Sequence, residues 1–248
     1  MRLIASDLDN TWVSDDAAAL EELQDAVARR RQELTLVYVT GRDLALYREL
    51  ERQARLLEPD YLIASVGADI YRFPECEPDA GWEELLAGCG WCEKSVDRVT
   101  AGHSRLIPQP AQFRFKRSYY FEARDPEDQR RVLSELARGL QQAGVRHRLV
   151  YSSNRDLDVL PVEAGKGRAL HHLRRRLGLQ PRDMVVCGDS GNDIDMLDGP
   201  WGSVMVANAR PELLRAELQP PVFRATEPAS RGVVQGLRHF GILSRSRT

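Results

Sequence analysis

The 248-residue sequence has little of what marks a membrane-bound or a nucleic-acid-binding protein. Its longest apolar runs, residues 34–39 and 184–187, fall far short of the roughly 20 residues that span a bilayer. With 35 Lys and Arg against 37 Asp and Glu, a net charge of −2 leaves no bulk attraction for nucleic acid. Met1 is followed almost directly by Asp7, without an apolar signal stretch, so we expect a cytoplasmic chain with no membrane or nucleic-acid partner.

Cysteine is scarce as well, and four cysteines in a chain of this length do not make the disulfide framework of a secreted domain. Cys89 and Cys92 form a CxxC, and with Cys76 and His103 nearby they are compatible with a zinc or a redox site. A second CxxC is missing, and no predicted strand precedes this one as it does in a thioredoxin-like unit. We therefore favour reduced, partly buried thiols at these positions.

Short apolar runs alternate with helical periods along most of the chain, a pattern typical of a parallel sheet covered by helices. Such runs are expected of strands that are buried on both faces. The pattern predicts a doubly wound, Rossmann-like α/β core in which a helix follows every strand. The predicted strands are residues 3–6, 34–39, 61–65, 184–187 and 203–207, and the predicted helices are residues 18–30, 44–57, 168–177 and 211–218.

The alternation of strand and helix breaks in the middle of the chain, where the sequence becomes rich in Gly, Pro and Cys. A strand-like stretch at 113–123, a charged helix at 126–142 and a strand at 145–152 fit a smaller inserted α/β domain. An inserted lid over strand ends is a common way to make a site that closes. The predicted domains are a core formed by residues 1–79 and 158–248 and a cap domain formed by residues 80–157.

Two aspartates, Asp7 and Asp9, come directly after the first predicted strand. Ligands of open α/β sheets bind beyond the carboxyl ends of the strands, so both carboxylates are delivered to the place where such folds do chemistry. Like charges held that close favour a shared cation. Taken alone a DxD is a weak signal, because it also caps helices and binds metal in glycosyltransferases.

Two further segments carry groups suited to an anion. Thr40, Gly41 and Arg42 follow the second predicted strand and open a helix, where a hydroxyl and a backbone amide hold phosphate oxygens. Lys166 lies just before the predicted helix at 168–177, where the helix dipole is unfavourable to a cation. An ammonium kept at that position indicates an anion nearby.

Another polar group follows the fourth predicted strand, where Gly188, Asp189, Asn192 and Asp193 stand close together in the sequence. Oxygen ligands next to glycines, which let the backbone approach closely, are typical of a Mg²⁺ site. The chain thus carries paired aspartates, a hydroxyl, a lysine and a second pair of aspartates in that order.

This order of motifs resembles the haloacid dehalogenase (HAD) superfamily of aspartyl-phosphate phosphatases, which places its larger type of cap between the second and third motifs. The resemblance implies a Mg²⁺ cofactor, with Asp7 as the nucleophile and Asp9 as the general acid and base. Thr40 and Lys166 would hold the transferring phosphoryl oxygens and count as catalytic. The implied metal ligands are the Asp7 carboxylate, the Asp9 carbonyl, Asp189 and, through water, Asp193, and the implied phosphate-binding residues are Thr40, Gly41, Lys166 and Asn192.

Residues 151–161, which lead to Lys166, resemble the corresponding stretch of the sucrose-phosphate phosphatase family, and residues 116–120 and 66–71 are similar to it as well. The resemblance implies hydrolysis of a sugar phosphate, sucrose-6-phosphate, to sucrose and phosphate, and an association with sucrose-phosphate synthase as a further expectation. Polar side chains on the cap suit a ligand with several hydroxyls. The implied substrate-binding residues are Arg42, Gly67, Asp69, Lys116, Ser118, Tyr120, Ser152, Ser153 and Asp156.

Other interpretations stay open at the level of sequence. Mannosylfructose phosphate, or another phosphorylated disaccharide or glycoside, is the alternative substrate. Lys116, Ser118 and Ser152 fit a solvated strand face as well as a sugar site. A receiver-like signalling module also joins paired aspartates, Mg²⁺ and a phosphoaspartate, but it needs neither the insert nor the second pair of aspartates. A DxD glycosyltransferase is disfavoured because no segment indicates a nucleotide-sugar pocket.

Overall fold

Short strands form the framework of the molecule. The structure is a computed structural model that describes residues 2–219 and 222–244. In chain order the strands are β1 (Arg2–Ser6), β2 (Leu34–Val39), β3 (Tyr61–Ala64), β4 (Asp69–Arg72), β5 (Glu77–Pro78), β6 (Ile107–Pro108), β7 (Arg117–Tyr120), β8 (His147–Ser152), β9 (Asp156–Pro161), β10 (Met184–Gly188), β11 (Gly202–Met205) and β12 (Val222–Arg224).

Helices connect many of these strands. In the part of the chain that the structure describes, no helix is both long enough and apolar enough to cross a membrane. The helices are α1 (Ala17–Ala28), α2 (Leu44–Ala54), α3 (Ala80–Gly88), α4 (Glu93–Ala101), α5 (Pro126–Gln142), α6 (Lys166–Arg176), α7 (Ile194–Leu197), α8 (Pro211–Leu214) and α9 (Ala229–His239).

The larger sheet has the strand order β12-β11-β10-β1-β2-β3-β4-β5. Neighbouring strands from β12 to β3 run parallel, and β4 and β5 are antiparallel additions at one edge. All the side chains of β2 are buried, as expected of a parallel strand covered on both faces. The predicted doubly wound core is confirmed, and each of the five predicted strands of the core overlaps an observed one.

The chain after β3 departs from the predicted alternation of strand and helix. It turns through Ser65, Val66 and Gly67 and returns as β4, antiparallel to β3. The φ angles of these three residues are 53°, 58° and 85°, a region that a β-branched residue such as Val66 rarely adopts. The prediction that a helix follows every strand is therefore wrong at this point.

The apolar faces of the helices close the core around the parallel strands. Helix α1 buries Leu20, Leu23 and Val27, which share one face at the spacing of a helix. Helix α9 lies so near β11 that a Cβ on Gly236 would come within 2.3 Å of the side chain of Val204. Only glycine permits this close approach of helix and strand.

Residues Ala80–Gly165 form a second compact unit, and the segments on either side of them form the larger one. The smaller unit has an antiparallel sheet with the strand order β6-β7-β9-β8. Helix α5 buries Val132, Leu136 and Leu140, which recur every fourth residue and pack with Leu157 of β9. The smaller unit thus has a hydrophobic core of its own.

The smaller unit ends at Gly165, whereas the sequence places the end of the insert at residue 157. The reason is β9, which pairs with β7 on one side and with β8 on the other and so belongs to the smaller sheet. Helices α3 and α4 also lie in this unit, in a stretch whose Gly, Pro and Cys content indicated no element.

Asp128 lies in the first turn of α5 and joins this helix to neighbouring segments of the smaller unit by hydrogen bonds. Its carboxylate accepts hydrogen bonds from Arg105 (2.7 Å), from the Arg124 N–H (3.0 Å) and from Arg131 (2.9 Å). These bonds, led by the one from Arg105, hold the pKa of Asp128 well below its usual value. The ionised form therefore stabilises the folded unit.

We expect Asp128→Asn to lower the melting temperature at pH 7, and the loss to shrink as the pH falls from about 4 towards 2. A carboxyl whose pKa is lower in the folded protein stabilises it above its unfolded pKa of about 4, and this contribution disappears as the pH falls through the folded value. Thermal unfolding at several pH values measures the effect. Glu135→Gln, which breaks an exposed ion pair with Arg131 on the same helix, is the control. An equal loss at pH 7 and pH 2.5 would contradict the expectation.

Candidate active site

The first loop of the larger unit places Asp7 at the carboxyl end of β1. The Asp7 N–H donates to the carbonyl of Cys187 in β10 (2.9 Å), so the two neighbouring strands remain joined where they end. Thr11 in the same loop donates its hydroxyl to Asp189 (3.3 Å), which follows β10. Asp7 and Asp189 are both buried, so two acidic groups from distant parts of the sequence are held at one edge of the sheet.

Asp193 lies in the loop after β10 and shapes it. One of its oxygens accepts hydrogen bonds from the N–H groups of Asp189 and Ser190, each at 3.0 Å. A Cβ on Gly188 would come within 2.7 Å of the Asp193 side chain, so only glycine leaves room for it. The predicted role of glycine as a point of close approach is thereby given a physical reason.

Lys166 is the first residue of α6 and is fully buried. Its ammonium lies 2.6 Å from an Asp7 oxygen and 2.7 Å from an Asp193 oxygen. A cation at the start of a helix is unfavourable to the helix dipole, and the two carboxylates offset that cost. The anion that the position of Lys166 predicts is therefore present within the protein itself.

Burial and mutual repulsion dominate the electrostatics of this cluster. Burial raises the pKa of Asp7 well above its usual value, although Lys166 opposes the shift. Burial and the neighbouring Asp193 raise the pKa of Asp189 to about 7. Burial disfavours the charge on Lys166, but Asp193 and Asp7 outweigh it and raise the pKa of the ammonium. Three carboxylates thus share one ammonium, and a further cation would relieve the repulsion among them.

The carboxylates of Asp7, Asp189 and Asp193 are placed to hold such a cation. One oxygen from each lies within 4.8 Å of the others, and within the described ranges no other group of three or more potential ligand side chains comes together in this way. All the donors are carboxylate oxygens, which suit a hard divalent ion. The cluster contains none of the cysteines.

The CxxC of the smaller unit has a different environment. Cys89 is buried and its thiol donates to the carbonyl of Leu86 (3.1 Å), whereas Cys92 is exposed. All four cysteines are free thiols.

The loop after β2 carries Thr40 and brings Gly41 close to Asn192. Thr40 is fully buried, and its hydroxyl oxygen accepts a hydrogen bond from the Arg42 N–H (3.1 Å). A Cβ on Gly41 would lie 3.9 Å from the amide nitrogen of Asn192. Gly41 and Asn192, two of the predicted phosphate-binding residues, therefore lie near one another, because β2 and β10 are parallel strands on either side of β1.

Asp9 and Arg42 form an ion pair outside the carboxylate cluster. The Arg42 Nε and one terminal nitrogen donate to the two Asp9 oxygens at 2.8 and 2.7 Å. Both side chains are partly exposed. The sequence predicts that Arg42 binds the substrate. The ion pair of Arg42 with Asp9 could not be predicted from a local pattern, since 33 residues separate the two.

The turn after β3 supports the loop that carries Thr40. The Ser65 N–H donates to the Arg42 carbonyl (2.8 Å), and the Val66 N–H donates to the Thr40 carbonyl (3.0 Å). Sequence reasoning chose Gly67 and Asp69 from this region and missed Ser65 and Val66. The turn contributes through its backbone, which residue types alone do not reveal.

The predicted sugar-binding residues of the smaller unit lie on three neighbouring strands. Lys116 comes directly before β7, Ser118 and Tyr120 lie in β7, Ser152 ends β8 and Asp156 begins β9. Ser118 is paired with Asp158, and Tyr120 and Ser152 are both paired with Asp156 in the register of the sheet. Side chains two residues apart on a strand point to the same face, so these polar groups share one face of the sheet. Ser153 lies just beyond, in a turn with φ of 55°.

Asp158 anchors this polar face. It accepts a hydrogen bond from the Ser118 hydroxyl at 2.6 Å, and the Lys116 ammonium lies 3.5 Å away. Asp156 accepts from the side-chain amide of Gln109 at 3.0 Å. Sequence reasoning missed Asp158, although its place two residues after Asp156 in an alternating stretch is the signal that puts it on the same face.

Comparison with known proteins identifies the family. The family model described as sucrose-6F-phosphate phosphohydrolase matches residues 1–241. The chain belongs to the sucrose-6F-phosphate phosphohydrolase family. Within this family, sucrose-phosphatase 1 of Nicotiana tabacum is 38% identical over 97% of the chain, and the chain spans 59% of that relative's length.

Other relatives match the chain from end to end. Mannosylfructose-phosphate phosphatase of Agrobacterium fabrum is 32% identical, over 99% of this chain and 99% of that protein. The crystal structure of the sucrose-phosphatase of Synechocystis sp. PCC6803 in complex with sucrose and phosphate superposes with a TM-score of 0.89 at 35% identity, covering 97% of this chain and 99% of that one. A HAD subclass IIB sugar phosphatase shares the fold at a TM-score of 0.68 and 17% identity.

Replacement of Lys166, which carries the buried ammonium, tests what the cluster contributes to stability. We expect Lys166→Met to lower the free energy of unfolding of the metal-free protein by about 3–5 kcal/mol, because it leaves buried carboxylates without their partner. Urea denaturation in a chelating buffer measures the change. Lys94→Met removes an exposed lysine and should change it little. An unfolding free energy equal to that of the unaltered protein would show that the cluster does not depend on Lys166.

Proposed function

We propose that the chain hydrolyses a sugar-phosphate monoester through a phosphoaspartate intermediate, with sucrose-6-phosphate as the substrate and sucrose and phosphate as the products. The observation that carries the proposal is the buried cluster in which Asp7 is held against Lys166, beside Asp189 and Asp193. A carboxylate fixed among such groups at the end of a strand suits attack on phosphorus. Membership in the family supports the choice of reaction.

The carboxylate cluster fits Mg²⁺. Asp7, Asp189 and Asp193 supply oxygen donors. Burial first, and the neighbouring carboxylates second, raise the pKa values of Asp7 and Asp189, and a bound cation would favour their ionised forms. The carbonyl of Asp9 is the further ligand that we assign to it. When bound, Mg²⁺ neutralises part of this charge and polarises the phosphoryl group, so that an anionic nucleophile can approach a dianion.

The remaining residues divide the reaction between them. An Asp7 oxygen attacks phosphorus, the bond from phosphorus to the sugar oxygen breaks, and that oxygen takes a proton from Asp9. In the second step Asp9 takes a proton from water, whose oxygen attacks phosphorus and releases Asp7. Thr40 and Lys166 hold the transferring phosphoryl oxygens, and Gly41 and Asn192, which lie near one another, assist. Fixed charges and donors of this kind stabilise the charge that develops in the transition state.

The polar face of the smaller unit is the part that we assign to the sugar. Its hydroxyl, carboxylate and ammonium groups, including Ser118, Asp158 and Lys116, offer donors and acceptors for several sugar hydroxyls. A site lined in this way rejects analogues that leave its groups unpaired. Tyr120, Ser152, Ser153 and Asp156 complete the proposed set on this unit, and Gly67 and Asp69 belong to the proposed set on the larger one.

Mannosylfructose phosphate is the second candidate substrate. The Agrobacterium phosphatase named for it matches the chain over almost its whole length, whereas the tobacco sucrose-phosphatase extends well beyond it. Both substrates are phosphorylated disaccharides and call for the same chemistry at phosphorus.

An association with sucrose-phosphate synthase is part of the proposal and is tested by co-purification of the two proteins. The free thiols support a reducing compartment such as the cytoplasm.

The identity of the substrate is tested with purified protein and a panel of sugar phosphates. Release of phosphate should be fastest from sucrose-6-phosphate, because the polar groups of the smaller unit discriminate between sugars, and chelation of Mg²⁺ should abolish it. Turnover of mannosylfructose phosphate at a higher kcat/KM would favour the second candidate. Equal turnover of all sugar phosphates would contradict both.

The nucleophile is tested with Asp7→Asn. We expect turnover to fall by at least about 10³-fold, since an amide does not form the phosphoaspartate. Phosphate release and acid-stable labelling of the protein by the substrate's phosphate are the measurements. Asp25→Asn, at an exposed position of α1, is the control. Turnover retained by Asp7→Asn would remove Asp7 as the nucleophile.

A further inference from the structure

The contact between Arg42 and Asp9 has the form of a fork. The Nε and a terminal nitrogen of Arg42 each donate to a different oxygen of Asp9, at 2.8 and 2.7 Å. Two parallel bonds fix the plane of a carboxylate, which a single bond leaves free to rotate. The orientation of Asp9 is therefore set by Arg42.

We propose that Arg42 is the positioning residue of Asp9 in the second half of the reaction, a role that rests on the proposed phosphoaspartate mechanism. An ionised carboxylate only accepts hydrogen bonds, and a fork with both arms donating fits that form. The ionised form is the one that takes the proton from water while the water oxygen bonds to phosphorus and the bond from phosphorus to Asp7 breaks. Arg42 orients Asp9 for this transfer.

The backbone of Arg42 is itself held in place. Its N–H donates to the hydroxyl oxygen of Thr40, and its carbonyl accepts from the Ser65 N–H. The Val66 N–H holds the Thr40 carbonyl in the same way. Ser65 and Val66 adopt positive φ, a conformation that costs energy and persists only where the surroundings impose it. These hydrogen bonds thus fix the backbone from which the Arg42 side chain extends.

The exposure of the pair separates this role from a role in folding. The side chains of Arg42 and Asp9 are 31% and 45% exposed. Ion pairs this open to water contribute little to stability. Loss of the fork should therefore appear in turnover and leave the melting temperature almost unchanged.

Kinetics of Arg42→Gln on p-nitrophenyl phosphate and sucrose-6-phosphate test the proposal. With p-nitrophenyl phosphate, whose p-nitrophenolate leaves without a proton from Asp9, we expect kcat to fall roughly 10²-fold and KM to fall with it, because hydrolysis of the phosphoaspartate becomes rate-limiting. Mixing with p-nitrophenyl phosphate should release close to one equivalent of p-nitrophenol in a burst, followed by slow turnover. The kcat for sucrose-6-phosphate should be no higher than this, because both esters pass through the same intermediate and the sugar oxygen also takes a proton from Asp9.

Arg42→Lys and Arg231→Gln complete the experiment. Lys keeps the charge but not the fork, so Arg42→Lys should show the same burst and a similar loss. Arg231→Gln breaks an exposed ion pair with Asp16 in the larger unit and should leave the kinetics unchanged. Melting temperatures of all variants report folding, and Arg42→Lys keeps the test open if Arg42→Gln does not fold.

Three outcomes would overturn the positioning role. They are a raised KM without a burst, which points to Arg42 binding the substrate, normal kinetics in Arg42→Lys, and a kcat that is higher for sucrose-6-phosphate than for p-nitrophenyl phosphate. Turnover retained by Asp7→Asn would instead remove the phosphoaspartate mechanism itself. The failure of one proposal is thus distinguishable from the failure of the other.

Discussion

The larger unit depends on the burial of one ammonium between two carboxylates. Lys166, Asp7 and Asp193 are each costly to bury alone, and together they compensate one another. They come from the start of α6, the end of β1 and the loop after β10, so their pairing ties three segments together. The larger unit consists of the segment that ends at Asp79 and the segment that begins at Lys166. The first residue of the second segment is therefore the one that completes the cluster.

The same cluster carries an imbalance that suits the proposed chemistry. One ammonium faces three carboxylates, and burial, with the neighbouring Asp193 adding to it, raises the pKa of Asp189 to about 7. Asp7 and Asp9 are two residues apart but meet different surroundings, one buried against Lys166 and the other half exposed against Arg42. Environments that differ in this way let two carboxylates take different parts in one reaction.

The secondary-structure elements that the sequence predicts correctly are those with a local pattern of apolar residues. The parallel strands are short apolar runs, and α5 shows apolar residues at helical spacing, so both are readable from the chain. The turn through Ser65 and Val66 is not, because its left-handed backbone is imposed by contacts with the loop after β2. The predicted boundary at residue 157 divides β9 between the two units, because its pairing with β7 and β8 is not evident from its own residues.

The sequence by itself determined the kinds of groups at the site and their order along the chain, since each follows a strand or begins a helix that local pattern reveals. Only the tertiary structure decided which groups are partners. Lys166 and Asp7 are 159 residues apart, and Arg42 and Asp9 are 33 apart, so no periodicity connects them. The parallel order of β2, β1 and β10 brings their ends together, and burial then selects the pairs whose charges compensate.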